Sequence, residues 1–192
     1  MIVLASSSPR RAQLLQQIGI EFERQSADID ETPMAGESAT DLVERLARQK
    51  AEYVARQRQG DLLVLGSDTI GVLGHDILLK PKNVTDFHAM MRKMSGQTHQ
   101  VITAIAVAKW CTESQQCLVE SEQVSSNVSF TKISEQEISD YWATGEPQDK
   151  AGGYAIQGYG GQYVTHITGS YSAIVGLPLY ETKRLLQKMK DA

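Results

Sequence analysis

The run Leu62-Leu63-Val64-Leu65, followed at once by Gly66-Ser67-Asp68-Thr69, constrains the fold more than any other stretch of the chain. Four consecutive branched apolar residues carry no helical period, so they predict a short strand buried on both faces, as in a parallel sheet. Open α/β sheets gather ligands in the crevice beyond the carboxyl ends of such strands. Asp68, where the apolar run stops, is therefore the first candidate for chemistry. The competing role is that of a turn residue, which aspartate often plays.

The chain enters through a similar strand, Ile2 to Ala5, and runs into Ser6-Ser7-Ser8-Pro9-Arg10-Arg11. Ser8 reads as a helix N-cap and Pro9 as the first helical position, where a proline loses no needed hydrogen bond. Leu14, Leu15 and Ile18 then mark an apolar face, and Gly19 is a natural stop. Hydroxyls, unpaired backbone N–H groups and two guanidinium groups at one helix start suit a phosphate. The alternative is a plain capped helix with two solvated arginines.

A strand over residues 21–25 leads to the acidic loop Asp28-Ile29-Asp30-Glu31-Thr32-Pro33, whose carboxylates either hold a divalent metal or are simply solvated. Ser38, with Asp41 three residues on, opens the next helix. Val43, Ala47, Lys50 and Val54 share one stripe of it, which sets Lys50 on a face otherwise meant for the core. Its ammonium either meets a functional partner or snorkels to water.

Past Asp68, two apolar arms around Gly74-His75-Asp76 read as a hairpin, and the second arm ends at Lys80-Pro81. The proline holds Lys80 extended, so its amine is aimed from a rigid strand end. Residues 86–94 read as a helix, and 101–110 with 118–130 as an antiparallel pair of strands. His99 has no neighbouring nucleophile or carboxylate in sequence and reads as an ordinary loop or strand histidine. Ser134-Glu135-Gln136-Glu137 is a capping box for a helix packed through Ile138, Tyr141 and Trp142 and closed by Gly145. In the segment from Glu146 to Gly158, glycines at 152, 153 and 158 suggest either close approach to a ligand or a structural glycine turn. Gln157 offers both a donor and an acceptor, as reading a pyrimidine edge requires. Residues 164–167 read as a strand, Gly169-Ser170-Tyr171 as a turn, and Leu179 to Lys190 as a packing helix.

A formal charge of -4 over 192 residues argues against a broad surface for nucleic-acid polymers, though not against a local cluster for a small anion. No apolar stretch approaches the roughly 18 residues of a membrane span, and Met1-Ile2-Val3-Leu4-Ala5 has no signal-peptide pattern. A cytoplasmic chain without membrane contact is the expectation, so Cys111 and Cys117, which a hairpin could bring close enough to bridge, are expected as two free thiols.

Taken together, these motifs resemble the Maf family of nucleoside triphosphate pyrophosphatases over essentially the whole chain. The resemblance is carried by Ala5-Ser6-Ser7-Ser8-Pro9-Arg10-Arg11, Asp30-Glu31-Thr32, Arg45-Leu46-Ala47-Arg48-Gln49-Lys50-Ala51 and Gly66-Ser67-Asp68-Thr69-Ile70. It continues through Lys80-Pro81, Met94-Ser95-Gly96-Gln97-Thr98-His99, Glu146-Pro147, Asp149-Lys150-Ala151-Gly152, Ile156-Gln157-Gly158 and Val175-Gly176-Leu177-Pro178. Arg10, Thr69 and Gln157 match the subgroup that acts on dTTP and UTP rather than on 7-methyl-GTP. One departure is Gly153-Tyr154-Ala155, where relatives often carry Ala-Tyr-Gly.

The resemblance implies an α/β fold with a mixed parallel and antiparallel sheet flanked by helices, in a single domain, residues 1–192, of two lobes around a central cleft. It implies hydrolysis of a nucleoside triphosphate between the α and β phosphates, with a divalent cation, Mg or Mn, and Asp68 as proton acceptor. On this reading Glu31 and Asp68 hold the metal. Lys50, Lys80 and Arg11 neutralise the phosphates, Ser6 and Ser8 cradle them, and Arg10, Thr69 and Gln157 set specificity. A homodimer is compatible with the sequence. The competing function is a nucleotide-binding regulator of cell division or septum formation without turnover. A second is an inosine-triphosphate type house-cleaning hydrolase on a related fold.

Overall fold

The computed structural model describes residues 1–191. In chain order the elements are β1 (Ile2–Leu4), α1 (Pro9–Gln17), β2 (Phe22–Arg24), α2 (Ala39–Arg58), β3 (Leu63–Leu73), β4 (Asp76–Leu78) and α3 (Val84–Met94). Then come β5 (Thr98–Cys111), β6 (Gln116–Phe130), α4 (Glu135–Ala143), three short 3-10 turns, β7 (Val164–Thr168), α5 (Tyr171–Val175) and α6 (Leu179–Lys190). The sheet runs β2-β1-β3-β5-β6-β7, with β4 on β3. Pairing is parallel for β1 with β2 and β3, and antiparallel for β3 with β4 and β6 with β7. The mixed α/β sheet expected from the sequence is therefore present.

Two compact units divide the chain. The first takes Met1–Asp68, Thr103–Val124 and the chain from Gly176 onward. Its core is built on the parallel strands and on α2, whose Leu42, Val43, Leu46, Ala47, Ala51 and Val54 are all buried. Ser38 caps that helix, its Oγ accepting from the Asp41 N–H at 3.1 Å. The second unit takes Thr69–Ile102 and Ser125–Val175. Its core is aromatic: Phe87, Phe130, Tyr141, Tyr154 and Tyr163 pack with Met91, Met94 and Ile138. The capping box at Ser134 and Glu137 forms as expected.

Three local expectations change. The strand over the apolar run does not stop at Asp68 but continues to Leu73, giving β3 eleven residues in all. Its parallel partner β1 ends opposite Leu65, and from Gly71 the strand gains β4 as a hairpin partner across the Gly74-His75 turn. The glycine inside it serves helix packing rather than termination: a Cβ at Gly66 would stand 2.3 Å from the Ala47 carbonyl oxygen and 2.8 Å from the Ala51 nitrogen. Ile18 lies one residue past the end of α1 and is exposed, because the helix closes at Gln17 and the left-handed Gly19 turns the chain away. Tyr171 begins the short helix α5 instead of completing a turn, with the Ser170 hydroxyl accepting from the Ala173 N–H at 3.2 Å.

Candidate active site

Lys50 decides what the first unit can do. Gly66 lets α2 lie against β3, and Lys50, one residue before Ala51 on that helix, is buried to 8% exposure. Its Nζ lies 2.6 Å from Asp68 Oδ1 and 2.7 Å from Glu31 Oε1. The snorkelling alternative is thereby excluded, since the ammonium turns inward to two carboxylates. Asp68 is itself buried at 8%, whereas the Glu31 side chain is about half exposed. A buried cation and carboxylate at this distance hold each other in one geometry, and removal of either leaves the other unpaired in the interior.

The loop between β1 and α1 supplies a second ordered group. Ser8 holds the N-cap position of α1, with Pro9 next, yet its side chain makes no capping bond. Ser6 organises the turn instead, its buried Oγ accepting from the Ser8 N–H at 3.1 Å and from Arg11 Nη1 at 3.1 Å. Arg11 Nε also donates to the Gly176 carbonyl at 2.9 Å. This arginine is fixed rather than solvated. Burial lowers its pKa from the ordinary value, Asp68 and Glu31 draw it back up, and the like charge of Arg10 pushes it down. Arg10 itself is only half-buried.

These two clusters form a basic and acidic centre of a kind suited to polyphosphate chemistry. Cations sit beside carboxylates in a partly desolvated place where electrostatic effects are large. Among the described residues no group of three or more His, Cys, Asp or Glu side chains could hold a metal by itself. A hard divalent cation such as Mg nevertheless needs only one or two carboxylates when substrate phosphates and water complete its shell, so Glu31 and Asp68 fit that chemistry.

Thr69, Lys80 and Gln157 belong to the second unit. Thr69 is the half-buried residue after Asp68 on β3, so the two side chains point to opposite faces of the strand. Lys80 is exposed in the irregular segment after β4, and Gln157 is exposed beside Gly158. The Gln157 segment is held from below by Glu146, which accepts from the Tyr141 hydroxyl at 2.6 Å, the Tyr159 N–H at 2.9 Å and the Gly160 N–H at 3.0 Å. Burial pushes the Glu146 carboxyl up, but these bonds and the Lys150 charge outweigh it and leave its pKa below the usual value. Gly158 permits this closeness, because a Cβ there would stand 2.0 Å from Glu146 Oε2.

His99 proves to be a core residue of the second unit. Its Nε2 lies 2.8 Å from the Tyr154 hydroxyl, its ring meets Phe130 and Tyr154 edge-on, and burial lowers its pKa to about 4. Cys111 and Cys117 are free, in agreement with the sequence reading.

Two supporting residues escaped the sequence. Gly176 receives both Arg11 Nε and the buried Ser67 hydroxyl, each at 2.9 Å. Nothing local to Gly176 announces that role, since its partners lie 165 and 109 residues away. Arg45 is the other, and it bonds to the acidic loop that carries Glu31.

The family model described as Maf-like protein matches residues 1–189. A dTTP/UTP pyrophosphatase from Pseudoalteromonas atlantica is 51% identical over all of this chain and 98% of its own length. The protein of that name from Pseudoalteromonas translucida is 53% identical over 97% of this chain and 95% of its own. The Vibrio cholerae protein, also so named, is 48% identical over 97% of both chains.

Proposed function

The chain belongs to the family of Maf-like proteins, and from that premise we propose that it hydrolyses dTTP and UTP to the nucleoside monophosphate and diphosphate. Full-length relatives that carry the name dTTP/UTP pyrophosphatase at about half identity support the reading. The observation that carries it is the Lys50 ammonium held between Asp68 and Glu31.

In the reaction a water oxygen bonds to the α-phosphorus, the bond from that phosphorus to the α–β bridging oxygen breaks, and diphosphate leaves. Asp68 accepts a proton from the attacking water. Lys50 fixes the Asp68 carboxylate in place, so the base does not search for its orientation when substrate arrives. Arg11, fastened by Ser6 and Gly176, presents a guanidinium to phosphate oxygens, with Ser6 and Ser8 at the start of α1 beside it. Lys80 adds a further cation for the departing diphosphate. Charge stabilisation of this type dominates phosphoryl chemistry. Glu31 and Asp68 would hold a divalent cation together with the substrate phosphates. When bound, Mg or Mn supplies charge neutralisation and a more acidic water.

Gln157, Thr69 and Arg10 discriminate the base. All 192 residues act as one functional domain in this reading, and no helix among the described residues is long and apolar enough to cross a membrane. The cytoplasm, where nucleotide pools are kept, is the proposed location.

The test is a panel of purine and pyrimidine triphosphates with Mg, with and without chelator, and with products identified. Release of diphosphate from dTTP and UTP well above GTP and ITP is expected. Absence of turnover would favour a nucleotide-binding regulator, and preference for ITP would favour a purine house-cleaning enzyme. Gln157→Glu should lower the dTTP:GTP selectivity by about tenfold, through loss of an amide donor. Unchanged selectivity would remove Gln157 from base recognition.

A further inference from the structure

Between β2 and α2 the chain runs from residue 25 to 38 without regular secondary structure and mostly exposed, yet it delivers Glu31 to a buried lysine. A half-exposed carboxylate paired with a lysine is screened by water and stabilises too little to order such a segment by itself. Something else must hold the loop. We infer that Arg45, through Glu37 and the Thr32 carbonyl, is the positioning residue that keeps Glu31 against Lys50.

The geometry is specific. Arg45 projects from α2 and meets Glu37 with both arms of its fork, Nε to Oε1 at 2.6 Å and Nη2 to Oε2 at 2.8 Å. The same Nη2 donates to the Thr32 carbonyl at 3.1 Å, one residue past Glu31. Nη1 donates to Gln49 Oε1 at 3.1 Å, which braces the guanidinium one helical turn further along. Glu37 completes the clamp by accepting from the Met34 N–H at 2.9 Å. On the other side of Glu31, Asp30 Oδ1 accepts from the Thr32 N–H at 2.9 Å, closing a small turn around the residue. Glu31 is thus bracketed by a turn and by the arginine. The Arg45 bond, then the Met34 N–H, lowers the Glu37 pKa to about 2, which favours the charged carboxylate that the fork binds. A planar fork supplies this bidentate hold, and a lysine at the same place cannot.

Arg45 and Lys50 also divide the labour along one helix. Arg45 fixes the loop backbone and Lys50 takes the carboxylate that the loop presents. The kinetic part of this inference rests on the hydrolase reading above; the structural part does not.

The experiment has two arms on the full chain. In the first, amide hydrogen exchange is compared between the wild type and Arg45→Met. Residues 29–37 should exchange at least about tenfold faster, while the later part of α2 keeps its protection. Unchanged exchange in the loop would overturn the inference. Should Arg45→Met not fold, Arg45→Lys takes its place, with a smaller rise expected in the same segment.

In the second arm, dTTP turnover is measured for Arg45→Met, Glu31→Gln and the double variant across Mg concentration. Arg45→Met should lower kcat and raise the half-saturating Mg, each by about tenfold, and in the Glu31→Gln background it should cost less than about twofold more. Full additivity would mean that Arg45 does not act through Glu31, and would overturn the inference. A wild type that turns over neither dTTP nor UTP would instead sink the hydrolase reading, and the exchange arm would still decide the clamp.

Discussion

In the first unit the important polar groups are engaged with one another: Lys50 with Asp68 and Glu31, Arg11 with Ser6 and Gly176. In the second, Lys80, proposed for the departing diphosphate, and Gln157, proposed for the base, are both exposed. On the proposed reading, the difference contrasts the residues that carry the chemistry, Asp68 and Lys50, with Gln157, which reads the base. Chemistry needs groups whose orientation is set before substrate binds, and mutual ion pairs in a desolvated place set it. Recognition can leave its side chains in water, provided that the backbone beneath them is fixed, as Glu146 fixes the segment around Gln157.

Perturbing the first unit should therefore cost the most. Lys50→Met leaves Asp68 buried without its cation and should destabilise the fold by about 4 kcal/mol, besides abolishing most activity. Chemical denaturation would show this, and a loss under about 1 kcal/mol would mean that the ion pair is solvent-screened after all. Gly66→Ala pushes a methyl group toward the Ala47 carbonyl oxygen and should cost about 3 kcal/mol. Because α2 must then retreat and carry Lys50 with it, turnover should fall together with stability; a stable variant with normal kcat would contradict the packing account.

The second unit should respond to pH through its core rather than through an ion pair. Burial lowers the His99 pKa from 6.5 to about 4, so the native imidazole stays neutral where the unfolded one takes up a proton. That contribution is present above about pH 6.5 and is lost as pH falls toward 4. The loss should amount to about 2 kcal/mol by pH 5, and His99→Phe should flatten this part of the stability curve. A curve of the same slope in the variant would assign the acid sensitivity elsewhere. Smallest of all should be Glu146→Gln. It weakens the bonds to Tyr159 and Gly160 and should raise KM for dTTP by about tenfold, near 1.4 kcal/mol, with kcat within about twofold. A fall in kcat with KM unchanged would give Glu146 a part in chemistry and blur the division between the units.

What could be read from the sequence follows the same division. The start of α1 at Pro9, the stripe of α2, the Ser38 cap, the capping box at Ser134 and the β3–β4 hairpin are local patterns, and each appears where its residues predict it, although Ser6 rather than Ser8 organises the turn before α1. Asp68 and Lys50 were visible as an aspartate after an apolar run and a cation on a core face. Their meeting was not, because it depends on how closely α2 approaches β3, which Gly66 controls. The strand's continuation through Asp68 was hidden for a related reason: Gly66 and Ser67 look like a break until the helix packed above them is known. Arg45 and Gly176 act over contacts that no local pattern encodes. His99 shows the reverse case, a residue type associated with catalysis that the surrounding rings make a core component.

In the proposed reaction the buried pair of Lys50 and Asp68 performs the hydrolysis. That role is tested most directly by the turnover of dTTP with Mg by Asp68→Asn, in protein shown by its unfolding curve to be folded. Asparagine keeps the shape and a hydrogen-bond acceptor for Lys50 but cannot take a proton from water, so kcat should fall by about 10³-fold. A variant that released diphosphate at the wild-type rate would contradict the account.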